Sequence, residues 1–110
     1  LAQSKCQVTL QKKSPTNVFE LHAHHLFDKS TRPDLADVLD NLLVMHEDIH
    51  RGFHIWHGSE SCEPKDFVEY LLHVEDDKFK SSKRKREHLK DLIRQLERTQ
   101  NLYAEHYHMA

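Results

Sequence analysis

Glycine and proline are scarce in this chain, two and three among 110 residues. So few turn formers exclude a fold built on many tight turns and favour helix. No Gly-rich loop of the kind that cradles phosphates is present, and no segment repeats itself. Cysteine is equally scarce. Cys6 and Cys62 are a single pair, where a small oxidised scaffold usually carries several bridges, so reduced thiols and a cytoplasmic setting are expected. No run of about eighteen apolar residues occurs, which excludes a membrane-spanning helix, and no secretory signal pattern opens the chain. It begins with Leu1 rather than Met, so a domain excised from a longer protein is expected. The length suits one domain, residues 1–110, with a modest core.

The formal net charge of −2 conceals an uneven distribution. Residues 1–77 carry seven Lys/Arg against fourteen Asp/Glu, a balance of −7, whereas residues 78–98 carry nine against three, a balance of +6. Lys83, Arg84, Lys85 and Arg86 stand together in the basic segment. Such a run is either a grip on a phosphate backbone or a solvated helix start. An acidic body is unusual for a DNA binder, so part of any substrate affinity is expected to come from a neighbouring domain.

Apolar periodicity gives a coarse map. Val8 to Leu10 is expected as a short strand before a turn at Pro15. Asn17 to Phe27, with Val18, Phe19, Leu21 and Leu26, has strand character. Ser30 to Pro33 is a loop, Pro33 opens a brief helical turn through Val38, and Leu42 to Met45 forms a second strand. Glu47 and Asp48 then suit the first turn of a helix, where carboxylates complement the dipole, and Gly58 marks its end. Pro64 behind Glu63 starts another helix, with an apolar face of Phe67, Tyr70, Leu71 and Val74. Leu89, Leu92, Ile93, Leu96 and Tyr103 form a stripe on a long final helix, broken by a polar gap at Thr99-Gln100. That stripe is expected to pack on the Phe67 helix rather than to form a dimer seam.

Histidine is what the chain has in excess. Seven of its eleven histidines fall between His22 and His57. Imidazole is the commonest metal ligand and titrates near neutral pH, so this density points to a metal site with acid–base chemistry. Residues four apart share a helix face, which makes His46, His50 and His54 a row in which neighbours can chelate one ion. His46-Glu47-Asp48-Ile49-His50 also matches the zinc-protease spacing of two histidines flanking a glutamate base. The longer form of that motif fails at Gly52 and His54, and the protease reading leaves His24, His25 and Asn41 unexplained.

A second pattern uses all of them. Leu21-His22-Ala23-His24-His25-Leu26-Phe27, then Asp40-Asn41-Leu42-Leu43-Val44, then His50-Arg51-Gly52-Phe53-His54 resembles the HNH nuclease family, over roughly residues 18 to 58. The family pattern places helix ligands nine and thirteen residues after the asparagine, here His50 and His54. The resemblance implies an α+β fold with a ββα-metal core, extended here by helices over about residues 63–108. It implies His24, His50 and His54 as metal ligands and His25 as the general base that deprotonates an attacking water. Asn41 would fix the loop and orient the His25 ring. Adjacent strand residues point to opposite faces, so His24 and His25 serve one site only if the strand end bends or the phosphate lies between them. One divalent ion (Mg, Mn, Zn or Ni) is implied, and three imidazoles suit the last three better than magnesium.

Many relatives hold the motif with two pairs of cysteines around a structural zinc. Here the second pair's positions are His46 and Ile49, and no first pair exists, so packing must hold the fold, as in colicin-type DNase domains. Those domains also show a helix of the form His-x-Asp-Ile-His-Arg-Gly, which His46 to Gly52 matches. In that register His46 would replace His54 as ligand. The expectation is a metal-dependent DNA endonuclease leaving 5′-phosphate and 3′-hydroxyl ends, with DNA, and further domains or a larger nucleoprotein complex, as partners and no membrane. A non-catalytic, metal-stabilised DNA-binding or scaffold module is the alternative.

Overall fold

The computed structural model of the protein describes residues 5–16, 18–58, 60–74 and 82–109, with side chains through residue 104. Among these residues two strands, Leu21–His25 (β1) and Leu42–His46 (β2), precede three α-helices, Glu47–His57 (α1), Pro64–His73 (α2) and Lys83–Met109 (α3). The fold is a small α+β domain: a two-stranded antiparallel hairpin followed by helices. His22 lies opposite Met45 and His24 opposite Leu43. Directly opposed residues share a face of a sheet, so these four side chains line one side of the hairpin. Leu43 and Met45 are buried there, which makes it the inner side, turned toward the helices.

β1 is shorter than the 17–27 span suggested by its apolar residues. Beyond His25 the backbone is taken by Asn41: the Leu26 N–H donates to the Asn41 carbonyl at 2.8 Å and the Phe27 N–H to its side-chain oxygen at 2.7 Å. The connection to β2 contains two single turns of 3-10 helix, Pro33–Leu35 and Leu39–Asn41. Residues 8–10 form no strand, contrary to expectation. The chain there closes a turn, with the Leu10 N–H on the Cys6 carbonyl (2.9 Å) and Leu10 itself at φ +67°. The turn has a different task. Gln7 exchanges hydrogen bonds with Val44 (2.7 and 2.8 Å), which covers the edge of β2 that β1 leaves open, and Val8 is buried in the process.

α1 follows β2 without a loop. His46 caps it by accepting the Asp48 N–H on Nδ1 at 3.0 Å, and Gly58, at φ +90°, ends it. Ile49 and Phe53, four apart, enter the core, which turns the neighbouring strip of His50 and His54 toward β1. Gly52 lets α1 lie close to α2: a Cβ there would stand 2.6 Å from the Tyr70 hydroxyl.

α2 starts at Pro64, with the Glu63 N–H bonded to the Asp66 carboxylate at 2.8 Å. Its Phe67, Val68, Tyr70 and Leu71 share one core with Leu89, Leu92 and Leu96 of α3, as the two apolar stripes anticipated. The polar gap in α3 belongs to that interface. Gln100 accepts the Lys65 N–H at 3.0 Å and donates to Glu63 at 2.7 Å, so it ties α3 to the start of α2. Among the described residues no helix is long and apolar enough to cross a membrane.

Candidate metal centre

The alternation of β1 puts His24 on the inner face, and the four-residue spacing of α1 puts His50 and His54 above it. One nitrogen from each of the three rings lies within 4.8 Å of the others. His50 Nε2 and His54 Nε2 stand 3.0 Å apart, and the His24 ring centre lies 5.3 Å and 5.5 Å from theirs. Nitrogens sharing one tetrahedral zinc at about 2.0–2.1 Å stand roughly 3.3 Å from one another, so the three rings need only small adjustments to hold one ion. Phe53 and Phe67 wall the site, with ring centres 5.2 Å and 5.8 Å from that of His24.

His24 supplies the strongest sign that something belongs there. It is only 4 % exposed, and its Nε2 is buried without a hydrogen-bond partner among the described residues. An unsatisfied buried polar atom typically costs about 1–3 kcal/mol, and a metal–nitrogen bond would satisfy it. The same setting keeps the rings neutral. Burial, with His50, His54, His25 and His57 nearby, lowers the His24 pKa to about 3. Burial, with His54 and His22, lowers that of His50 to about 4, and His54 is shifted in the same direction by burial and His57. Near pH 7 each of the three rings therefore carries a lone pair on one of its nitrogens. This is the state a metal requires.

His25, the last residue of β1, turns away from this cluster. Its Nε2 lies 3.1 Å from the Ala36 carbonyl. A carbonyl only accepts, so the ring hydrogen belongs on Nε2 and the lone pair on Nδ1. Asn41 is completely buried, donating to the carbonyls of Phe27 (3.0 Å) and Leu35 (3.2 Å). These bonds tie the loop together, and the Asn41 side chain bonds to Phe27 and Leu35 rather than to the His25 ring. The ring is oriented at second hand, through the Leu35-Ala36 backbone that Asn41 pins.

His46 stands outside the cluster, stacked on Phe19 with ring centres 4.4 Å apart. Of the two spacings open in the sequence, the fold brings His50 and His54, not His46, to His24. The protease spacing gains no support, because His46 and His50 share no ligand group among the described residues. Lys83 to Arg86 form the first turn of α3, a separate element from the histidine cluster. Both thiols are free and buried. Cys6 accepts the backbone N–H of His46 at 3.2 Å, and burial and nearby carboxylates push the Cys62 pKa up to about 11, so Cys62 offers no ready thiolate.

Sequence reading passed over His22. It shares the inner face with His24, and its Nδ1 lies 2.9 Å from His50 Nδ1. The signal was present in His22-Ala23-His24, two imidazoles at the period of a strand. Comparison with protein-family models, curated proteins and solved structures finds no match to this chain.

Proposed function

We propose that the protein is a metal-dependent DNA endonuclease with an HNH-type ββα-metal core. The observation that carries this reading is the pairing of two differently placed histidines at the end of β1. His24 converges with His50 and His54, while the His25 ring is held on the Ala36 carbonyl through Nε2. A divalent cation held by His24, His50 and His54 would supply Lewis-acid stabilisation of phosphate charge. His25 would take the proton of the attacking water on Nδ1, and the Ala36 carbonyl would steady the imidazolium through Nε2–H. Asn41 keeps that carbonyl in place by closing the loop on itself. Cleavage would leave 5′-phosphate and 3′-hydroxyl ends, and Lys83, Arg84, Lys85 and Arg86 are candidates for backbone contacts outside the site.

Nicking of supercoiled plasmid with Mg, Mn, Ni or Zn ions tests the activity, and ligase resealing of the nicks tests the ends. His25→Ala should slow nicking by about 10²- to 10⁴-fold, the usual contribution of a general base, and leave zinc affinity nearly unchanged. His24→Ala should lose the metal. A His25→Ala protein that cuts as fast as the wild type, or that no longer binds zinc, overturns the assignment.

A second reading rests on how deeply His24 is set between Phe53 and Phe67. A metal there would brace the core of a non-catalytic DNA-binding or scaffold module. Zinc would then raise the melting temperature without any nicking, and His25→Ala would change neither.

A further inference from the structure

Each ligand ring has a second nitrogen, and what that nitrogen bonds to decides where the ring hydrogen sits. For His50 the partner is a third imidazole. His22 Nδ1 lies 2.9 Å from His50 Nδ1, with the rings perpendicular and 5.1 Å apart. On its far side His22 Nε2 lies 3.5 Å from the Glu20 carboxylate.

A neutral imidazole carries one N–H. For His50 to turn a lone pair toward His24 and His54 from Nε2, its hydrogen must sit on Nδ1. That hydrogen points at His22 Nδ1, which must then be bare. The His22 hydrogen is consequently on Nε2, facing Glu20, and a carboxylate can only accept. Each hydrogen in the row thus follows from the lone pair that His50 turns toward the site.

Resting on the metal-centre reading above, we propose that His22 is a positioning residue. Backed by Glu20, it sets the ring tautomer of His50 and so aims that ligand's lone pair into the metal site. Carboxylate and carbonyl partners of ligand histidines are common; here the carboxylate acts through an interposed imidazole.

The row also bears on a neighbouring group. Glu20, His22 and Glu47 bring three ligand atoms within 4.8 Å of one another. A cation on His22 Nε2 would move the His22 hydrogen to Nδ1. Two N–H groups would then meet across a 2.9 Å gap that has room for one hydrogen. The His22–His50 hydrogen bond therefore disfavours a second cation while the first is held, and a single zinc per chain is expected.

The test uses the full chain, zinc alone as probe, and nitrogen-15 imidazole spectra. In the metal-free wild type, His50 should be the Nδ1–H tautomer and His22 the Nε2–H tautomer. His22→Phe keeps a ring but removes the acceptor, and should weaken zinc by about 10- to 100-fold, the usual range for such partners. His22→Gln restores an accepting oxygen and should recover most of that loss. Zinc affinity of His22→Phe within about twofold of wild type, a His50 hydrogen on Nε2, or two zinc ions bound with similar affinity would each overturn the proposal. If His22→Phe does not fold, the wild-type spectra decide by themselves. A wild type that binds no zinc removes the metal centre and the His22 role together; one that binds zinc irrespective of residue 22 removes only the latter.

Discussion

β1 and β2 line one face of one hairpin with opposite chemistry. β2 presents Leu43 and Met45, both buried in the core. β1 presents His22 and His24 directly opposite them. Burying a Leu or Met side chain stabilises a fold by about 1.5–3 kcal/mol, whereas a buried imidazole with an unpartnered nitrogen opposes folding. Leu43 and Met45 therefore hold the domain together, while His24 opposite Leu43 is maintained at the expense of stability. α1 repeats the division around its axis, with Ile49 and Phe53 in the core beside His50 and His54 at the site. A residue that weakens the free protein and has a place only around a ligand is more informative about function than one that packs well.

Breaking the β2 side should have the largest effect. Leu43→Ala leaves a cavity beneath the hairpin and should destabilise the protein by about 2–5 kcal/mol, a large part of the roughly 5–15 kcal/mol that keeps a domain folded. Urea unfolding of the metal-free protein measures it. Zinc at about 100 times its dissociation constant should return about 2.7 kcal/mol, because the ligands themselves are intact.

The corresponding change on β1 should have the opposite sign. His24→Leu extends the hydrocarbon of β2 across the hairpin and removes the unpartnered Nε2, so the metal-free protein should gain about 1–3 kcal/mol while zinc no longer raises its melting temperature. A destabilised His24→Leu protein, or one that zinc still protects, would dissolve the contrast between the strands.

Acid should weaken the metal-free wild type through the same residues. An unfolded histidine titrates near 6.5, while folded His24 titrates at about 3 and His50 at about 4. Below about pH 6.5 the unfolded chain takes up protons that the folded one refuses, so stability is full above that pH and declines as pH falls toward the folded values. His24 alone should give a slope of about 1.4 kcal/mol per pH unit in that window. Melting curves from pH 7.5 to 4.5 measure the slope, and His24→Leu should flatten it. An unchanged slope in that variant would assign the acid sensitivity elsewhere.

What was legible in the sequence follows from local periods. The four-residue spacing of His50 and His54, the apolar stripes of α2 and α3, and the helix limits at Glu47, Gly58 and Pro64 depend on neighbours a few residues away, and they appear where expected. The N-terminal segment was misread because Val8 to Leu10 is apolar enough for a strand but has no strand to pair with, and it turns to cover the β2 edge through Gln7. The ends of β1 were blurred because Asn41, fourteen residues further on, takes the backbone of Phe27. His22 was missed for a related reason: its role depends on a ring twenty-eight residues away, and a strand-spaced pair acquires meaning only when the helix above it is known.

The smallest effect on the fold, and the one most separate from the histidines, concerns Lys83, Arg84, Lys85 and Arg86. They occupy the first turn of α3, where Ser82 receives the Lys85 N–H on its hydroxyl at 3.1 Å and the Arg86 N–H on its carbonyl at 3.0 Å. Four cations at the positive end of a helix oppose its dipole, an effect that salt screens. Replacing all four with glutamine should therefore raise the melting temperature slightly. A helix start surrounded by cations is also suited to phosphate. If this one grips a duplex backbone, the same variant should lower the slope of log K against log salt by about 0.9 per lost contact, up to about 3.6 for four. Nicking at saturating DNA should be unchanged, because the variant leaves His24, His25, His50 and His54 intact. Binding isotherms at several salt concentrations, set beside melting curves, separate the two effects. A gain in stability with an unaltered slope would make the run a solvated helix start, and the contrast within the hairpin would stand without it.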